Sequence, residues 1–425
     1  MSDRTDPGAI DAPLADRAPS DGGLFRRRTL ALLAEMRQAA ITVVEPSGRS
    51  VFGVAEGPDV LRVTLTIHDP EAWQRIALGG TVGAAEAYMD GQWDASDLTT
   101  LVRIFVRNRE LMDRMEGGLA RLGAMLLRAW HELRRNTRAG SRRNIAAHYD
   151  LGNELFRLFL DETMMYSSAI YRDPSESLEL AQRRKLDRIC RKLALSPATR
   201  VIEIGTGWGG FAIHAARHYG CHVTTTTISR EQRELATARV REAGLEDRVR
   251  ILDLDYRALE GRYDRLVSIE MIEAIGHQYL DTYFRKVSDL LEPDGMALVQ
   301  AITIEDHRYE RALHAVDFIK RHIFPGSFIP SVGAMTGAIA RASDLKLFHL
   351  EDIGPSYALT LAAWRERFNR ALDHVRALGY PERFVRMWNF YLCYCEGGFI
   401  ERSIGDVQML LVKPGARPAQ FLPDL

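Results

Sequence analysis

Apolar positions recur along this chain in two rhythms, and the change from one to the other marks its elements. Between Val60 and Ile67, the apolar Val63, Leu65 and Ile67 alternate with Arg62, Thr64 and Thr66, the two-residue period of a strand with one buried face. Upstream, Leu30, Leu33 and Met36 keep helical spacing. A small mixed α+β module is expected there. Further on, short strand-like runs at Arg200 to Ile204, His222 to Thr227, Val249 to Asp253, Tyr263 to Ile269, Gly295 to Ile304 and Asp406 to Val412 are separated by helical stretches such as Phe211 to His218 and Arg230 to Ala243. That alternation predicts an α/β fold: an open, doubly wound, parallel sheet with helices on both faces and its ligand site at the carboxyl ends of the strands. Long insertions after Ile304 and before Val407 are large enough to build a lid or tunnel over that site. The chain divides on this reading into a disordered leader (1–22), the small module (23–96), a basic helical linker (97–143), the α/β domain (144–415) and a tail (416–425).

The chemistry enters at the first strand of the large domain. Arg200 to Ile204 runs into Gly205-Thr206-Gly207-Trp208-Gly209-Gly210 and then a helix, a turn in which backbone N–H groups approach a polar ligand closely. Gly205, Gly207 and Gly210 satisfy the dinucleotide spacing G-x-G-x-x-G, so an NAD site is one reading. A tight turn that holds no ligand is another. Glu203, Gly205, Gly207 and Gly209 also spell acid-x-G-x-G-x-G, similar to the first motif of class I S-adenosylmethionine-dependent methyltransferases. A carboxylate there suits a ligand carrying a sulfonium and an ammonium, and would repel a pyrophosphate.

Composition narrows little else. A chain of 425 residues, 46% hydrophobic and 27% charged, with net charge −1, has room for two or three domains. Cys190, Cys221, Cys393 and Cys395 form no zinc or disulfide pattern, which fits a reducing cytoplasm, and no metal site is expected. No apolar run is long enough to span a bilayer. Charge is unevenly placed: residues 103–143 hold eleven Arg and no Lys against four acids. With Leu119, Leu122, Leu126, Leu127 and Trp130 among them, these arginines suit a helix lying on anionic headgroups. A solvated basic linker helix that pairs with acids elsewhere is the plainer alternative. Nucleic acid fits poorly, because no stacking aromatics are interleaved.

Taken in order, the pieces His148-Tyr149-Asp150-Leu151-Gly152-Asn153, Tyr166-Ser167-Ser168-Ala169, the glycine turn, Thr227-Ile228-Ser229-Arg230-Glu231-Gln232, Asp255-Tyr256-Arg257, Met271-Ile272-Glu273-Ala274-Ile275-Gly276, Tyr279-Leu280-Asp281-Thr282-Tyr283-Phe284, Ile323-Phe324-Pro325-Gly326 and Tyr391-Leu392-Cys393-Tyr394-Cys395 resemble the cyclopropane-fatty-acyl-phospholipid synthases and their mycolic-acid relatives. The likeness runs from about Gly79 to Val412, and the stretch with Tyr88, Gly91 and Trp93 looks like the phospholipid-synthase form, in which the small module binds lipid. It implies a class I methyltransferase (Rossmann-like) domain. It also implies S-adenosyl-L-methionine as cofactor and, as substrate, a phospholipid whose acyl chain carries a cis double bond, met by the enzyme at the cytoplasmic face of a membrane. A homodimer is compatible with this reading. The alkene would take the cofactor's methyl group, and a bound bicarbonate would remove a proton from the resulting carbocation, closing a cyclopropane.

Position by position, the resemblance implies cofactor contacts at Tyr166, Ser167, Glu203, Gly205, Gly207, Gly209, Thr227, Ile228, Gln232, Tyr256 and Arg257. It places the anion among Glu273, Ile302, Tyr357 and Cys395. Two positions depart from the family. Ser168 stands where a cysteine is common, and Gln300 where a histidine is common. Both side chains can hydrogen-bond an anion, but neither titrates near neutral pH as histidine does. If the proton leaves a chain carbon instead, the same carbocation gives a methyl-branched alkene, and after a hydride shift it gives a methylene branch; such methyl-branching or furan-precursor methyltransferases are the alternative reading. A membrane-associated S-adenosylmethionine-binding protein without catalysis is the alternative of another class.

Overall fold

The computed structural model describes residues 23–111 and 152–419. The expected leader, the apolar positions from Leu119 to Trp130, the motif residues 148–151 and the end of the tail lie outside the described residues.

Alternation works as expected in the N-terminal module. In β3 (Leu61–Ile67) the side chains of Val63, Leu65 and Ile67 are buried while Arg62, Thr64 and Thr66 face outward. β3 lies parallel to β1 (Ala39–Glu45), which forms a hairpin with β2 (Gly48–Phe52), and β4 (Trp93–Ala95) closes the order β2-β1-β3-β4. The helix Glu71–Met89 packs over this sheet and breaks at Gly80, whose φ of 54° and ψ of −137° interrupt the helical ladder. Trp73, buried beneath it, satisfies its indole N–H on Glu45.

The large sheet contains β5 (Arg200–Ile204), β6 (His222–Thr226), β7 (Val249–Leu252), β8 (Tyr263–Ile269), β9 (Leu291–Ile304), β10 (Lys346–Asp352) and β11 (Ile404–Val412), in the order β10-β11-β9-β8-β5-β6-β7. Five strands run parallel, as the alternating pattern predicts. β11 runs antiparallel between β9 and β10, so the sheet is mixed rather than wholly parallel. β10 itself was not anticipated. Leu347 is half-buried and Leu350 exposed, because an edge strand has a single neighbour to satisfy and carries a weak burial pattern.

One long helix, Glu382–Ile400, joins the two parts. Arg386 donates to the carbonyls of Tyr88 and Trp93 and to Asp94, and its guanidinium lies 4.0 Å from the Tyr88 ring centroid. On the same helix, a Cβ at Gly397 would come within 2.7 Å of Val102, so the absent side chain lets the helix Leu98–Arg107 pack closely. That helix starts at Asp97, which caps Thr100 N–H, and it buries Leu101, Val102 and Ile104. Arg103 and Arg107, expected on a membrane-facing basic stretch, both pair with Glu401 instead, at 2.7 and 2.8 Å. Packing against the large domain turns their face of the helix inward. No helix among the described residues is long and apolar enough to cross a membrane.

Candidate active site

β5 delivers the chain to the glycine turn, and Gly205, Gly207 and Gly209 take φ values of 101°, 52° and 84°. Side chains are strained in that region. A Cβ on Gly207 would meet nothing within 4 Å, so the turn's backbone faces open space there. Gly210 is needed for a different reason: its Cβ would sit 2.6 Å from the Thr163 carbonyl and from Met165 Sδ. Glu203 lies beneath the turn, 3% exposed. The Thr225 hydroxyl, its neighbour across β6, donates to it at 2.6 Å, and burial pushes its carboxyl up to about 8.

Around this turn stand the other expected cofactor residues. Thr227 donates to Gln232 at 2.9 Å and accepts from Ser229 N–H, while Ser229 caps the helix Arg230–Glu242. Ile228 is half-buried between them. β6 ends in threonines and not in the carboxylate an NAD ribose would require; Glu231 is exposed in the first helical turn. Tyr256 packs edge-on against Tyr283, and Arg257, fixed by Asp255, lies between the Tyr256 and Tyr279 rings at 5.4 and 5.3 Å. Tyr166 shares a hydrogen bond with Tyr391 at 2.8 Å and packs on Phe156 and Trp364. Ser167 accepts from the buried Lys185 at 2.8 Å.

Tyr166 also lines a cavity of about 470 Å³, within the size range of small-molecule sites. At its chemical end stand Glu270, Glu273, Ile302, Tyr357 and Cys395. From there it extends past Phe324, Leu361 and Phe399 into the N-terminal module, where Leu33, Met36, Leu65 and Trp73 wall it. Lys320 closes part of the wall by donating to the carbonyls of Ala312 and Ala315. Glu270 and Glu273 keep some accessible surface, but that surface opens on the cavity and not on bulk water, so desolvation still raises both carboxyls.

Glu273 Oε1 accepts the Ile302 N–H at 2.6 Å, while its other oxygen is buried without a partner. Burial, and then the charge of Glu270, push it up to about 8. Burial likewise pushes the Cys395 thiol far up, so it acts here as an apolar wall.

Glu270, which lies outside the motif residues, occupies the centre. Its Oε1 accepts from Ser168 N–H at 2.8 Å and from the Gln300 amide at 2.8 Å, and its Oε2 accepts from the Tyr357 hydroxyl at 2.6 Å. Behind it, Gln300 also donates to Asp406 at 3.1 Å and accepts from Gln408. Two expectations change accordingly. Ser168 does not offer its hydroxyl to the site, because that group donates to the Ala169 carbonyl. Gln300, with no exposed surface, spends its amide on carboxylates. The donor set expected to cage a bicarbonate is thus already occupied, and a further anion would face the Glu270 charge at close range in a low dielectric. The residues present do not fit that group. An acid at the end of β8 was a readable signal for Glu270; its partners, up to 102 residues away, were not.

Comparison with known proteins identifies the family. The family described as mycolic acid cyclopropane synthetase matches residues 136–409. The tuberculostearic acid methyltransferase UfaA1 of Mycobacterium tuberculosis is 39% identical over 373 residues, covering 85% of this chain and 86% of the relative. The cyclopropane-fatty-acyl-phospholipid synthase of Escherichia coli is 37% identical over 367 residues, 84% of this chain and 90% of that one. Among solved structures, the mycolic acid cyclopropane synthase CmaA1 complexed with SAH and CTAB is 30% identical with a TM-score of 0.60, covering 64% of this chain and 98% of that one. The cyclopropane synthase MmaA2 of Mycobacterium tuberculosis is similar at 29% identity and a TM-score of 0.60, with the same coverage. With its glycine turn, its sheet order and its enclosed carboxylate site, this chain belongs to the cyclopropane synthase family of S-adenosylmethionine-dependent lipid methyltransferases.

Proposed function

We propose that the enzyme methylates a cis double bond in the acyl chain of a membrane phospholipid, with the acyl chain lying in the cavity that runs from the N-terminal module to Glu270 and Glu273. The observation that carries this reading is the cavity itself: most of its wall is apolar, Glu270 and Glu273 stand beside Tyr357 in it, and the other charged residues on its wall are Arg109, Arg308, Arg311, Asp317 and Lys320. S-adenosylmethionine would rest over Gly205 to Gly209, held by Tyr166, Ser167, Thr227, Ile228, Gln232, Tyr256 and Arg257, and supplies an electrophilic methyl group. The chain's own residues do the rest. The enclosed walls exclude water that would quench a carbocation. The faces of Tyr166 and Tyr357 and the carboxylate charge stabilise positive charge on the acyl chain.

The product is a cyclopropane when the proton leaves the added methyl group and the C–H electron pair closes the ring onto the cationic carbon. A methyl-branched or methylene-branched product is the second reading, favoured by Gln300 and Glu270 at the site and by the 39% identity to a tuberculostearic acid methyltransferase. The remaining arginines of 112–143 support the proposal that the enzyme works on an anionic membrane surface. Lipids from a host fed methionine with a trideuterated methyl group test the methyl transfer and its product. Retention of two deuteriums marks a cyclopropane or a methylene, which chromatography separates, and retention of three marks a methyl-branched alkene. Unlabelled lipids would overturn the reading.

A further inference from the structure

The geometry points to Glu270 as a built-in proton acceptor, a carboxylate anchored in the protein where the relatives' reaction calls for a bound anion. This inference rests on the proposed alkene methylation.

Three observations carry it. First, Glu270 lines the cavity beside Glu273, Tyr357 and Ile302, and the groups converging on it from its place just after β8 come from three separate elements: the loop at Ser168, β9 through Gln300, and the helix Gly354–Arg370 through Tyr357. Second, its backbone is held at φ 46°, a conformation rare for a residue with a long side chain. Such a conformation persists where surrounding structure over-determines it, and sites of this kind cluster where chemistry is done. Third, the charge has one natural resting place. Three carboxylates, Glu270, Glu273 and Asp406, share this buried region, and Gln300 bridges two of them. Glu270 accepts three hydrogen bonds, whereas Asp406 Oδ1 and Glu273 Oε2 have no partner. A buried negative charge settles on the group with the most donors, and the protons settle on the other two.

Those three donors serve the chemistry as well. They occupy lone pairs on both oxygens, which blunts attack by the carboxylate on an electrophilic methyl group. One acceptor direction on Oε2 is left over. In the reaction, the alkene π pair forms the new bond to the methyl carbon, whose bond to sulfur breaks with its electron pair going to sulfur. Glu270 Oε2 then takes a proton from the alkylated chain. The C–H electron pair left behind closes the three-membered ring or forms a C=C bond, and the cation is neutralised. No further reactant is needed.

The test uses the full-length protein and three variants. Glu270→Gln should lower kcat by about 100-fold or more, with S-adenosylhomocysteine affinity by calorimetry within about threefold of parental. Glu270→Gly suits the backbone and empties the anion position. In carbon-dioxide-free buffer it should be as slow as Glu270→Gln and should recover when bicarbonate is added, while the parental enzyme ignores bicarbonate. Glu270→Ala should behave as the glycine variant does, which guards against an effect of backbone freedom. Independently of turnover, ¹³C-bicarbonate resonances should broaden with Glu270→Gly and S-adenosylhomocysteine but not with the parental protein. Parental dependence on bicarbonate, broadening by the parental protein, or parental turnover by Glu270→Gln each overturns the assignment. A parental protein that transfers no label to lipid, yet shows the expected bicarbonate contrast, rejects the substrate reading and retains the anion site.

Discussion

Lys185 donates to Ser167 at 2.8 Å from a position with no exposed surface. A buried ammonium is costly, and burial brings its pKa down to about 8 although Glu270, Asp161, Asp406 and Glu203 pull it upward. The cation balances the carboxylates behind the site while it fixes a serine expected to contact cofactor. Lys185→Met removes both functions and leaves the Ser167 hydroxyl without its donor. Calorimetry should show S-adenosylhomocysteine binding about tenfold weaker, near 1.4 kcal/mol, and chemical denaturation a loss of about 1–3 kcal/mol.

Two glycines of the turn should fail in different ways. Gly207→Val places a side chain in open space on the ligand side, at a φ of 52°, so it should abolish S-adenosylhomocysteine binding. Gly210→Ala drives a methyl group into the Thr163 carbonyl and Met165, so its main effect should be on stability, about 1–3 kcal/mol. Melting curves with and without S-adenosylhomocysteine separate the two: Gly210→Ala should melt lower but still be raised by ligand, and Gly207→Val should not respond to it.

Arg107 offers a control on the membrane proposal. It donates to Glu401 and to the Asp59 carbonyl, which makes it an internal clamp between the N-terminal module and the large domain. Arg107→Gln should cost about 1 kcal/mol in denaturation and leave co-sedimentation with anionic vesicles unchanged. Reduced vesicle binding at equal folded fraction would return this arginine to the lipid-facing surface.

Local rules made most of this fold readable. Arg200–Ile204 and Tyr263–Ile269 announce themselves through branched apolar runs bounded by turns, and the glycine turn declares its backbone geometry through composition alone. Contacts between distant segments did not show. Nothing near Glu270 reveals that Tyr357, 87 residues on, will donate to it, or that Arg103 and Arg107 will meet Glu401 almost 300 residues away. Ser168 and Gln300 were identified by position and misjudged in orientation, since only the folded site shows which of their polar atoms remain for a ligand. The edge strand Lys346–Asp352 escaped because its half-buried Leu347 and Phe348 and its exposed Leu350 show no clean alternation.

The contribution of Glu203 to stability should fall as pH rises from acid to mildly alkaline. Glu203 has a folded-state pKa of about 8 against an ordinary value of 4.5, mainly through burial. The folded state therefore binds more protons than the unfolded chain between those values. Its contribution is fully present below pH 4.5 and is lost as pH rises through about 8, at up to about 1.4 kcal/mol per pH unit. Glu203→Gln keeps an acceptor for Thr225 and removes the titration. Urea denaturation of this variant between pH 5 and pH 8 should show a shallower decline than the parental protein, and parallel curves would mean that Glu203 does not titrate in that range.

Glu273 should act in its protonated form. Its carboxyl is raised to about 8 by burial and by the neighbouring Glu270 charge, and one oxygen already accepts the Ile302 N–H at 2.6 Å. The other oxygen, buried and without a partner, is then the site of an O–H group available as a donor within the cavity. Glutamine reproduces that donor and that acceptor with nearly the same shape. Glu273→Gln should therefore keep kcat at pH 7 within about threefold, whereas Glu273→Ala should lose about 30-fold or more, with little change in S-adenosylhomocysteine affinity for either. The pH profile gives the sharper distinction. Above pH 8 the parental carboxyl ionises, losing its proton donor and placing a second negative charge beside Glu270, so turnover should fall. Glu273→Gln has nothing to ionise there, and its profile should stay flat to higher pH. A glutamine variant as slow as the alanine variant, or one that shares the parental alkaline fall, would show that the ionised carboxylate is the working form.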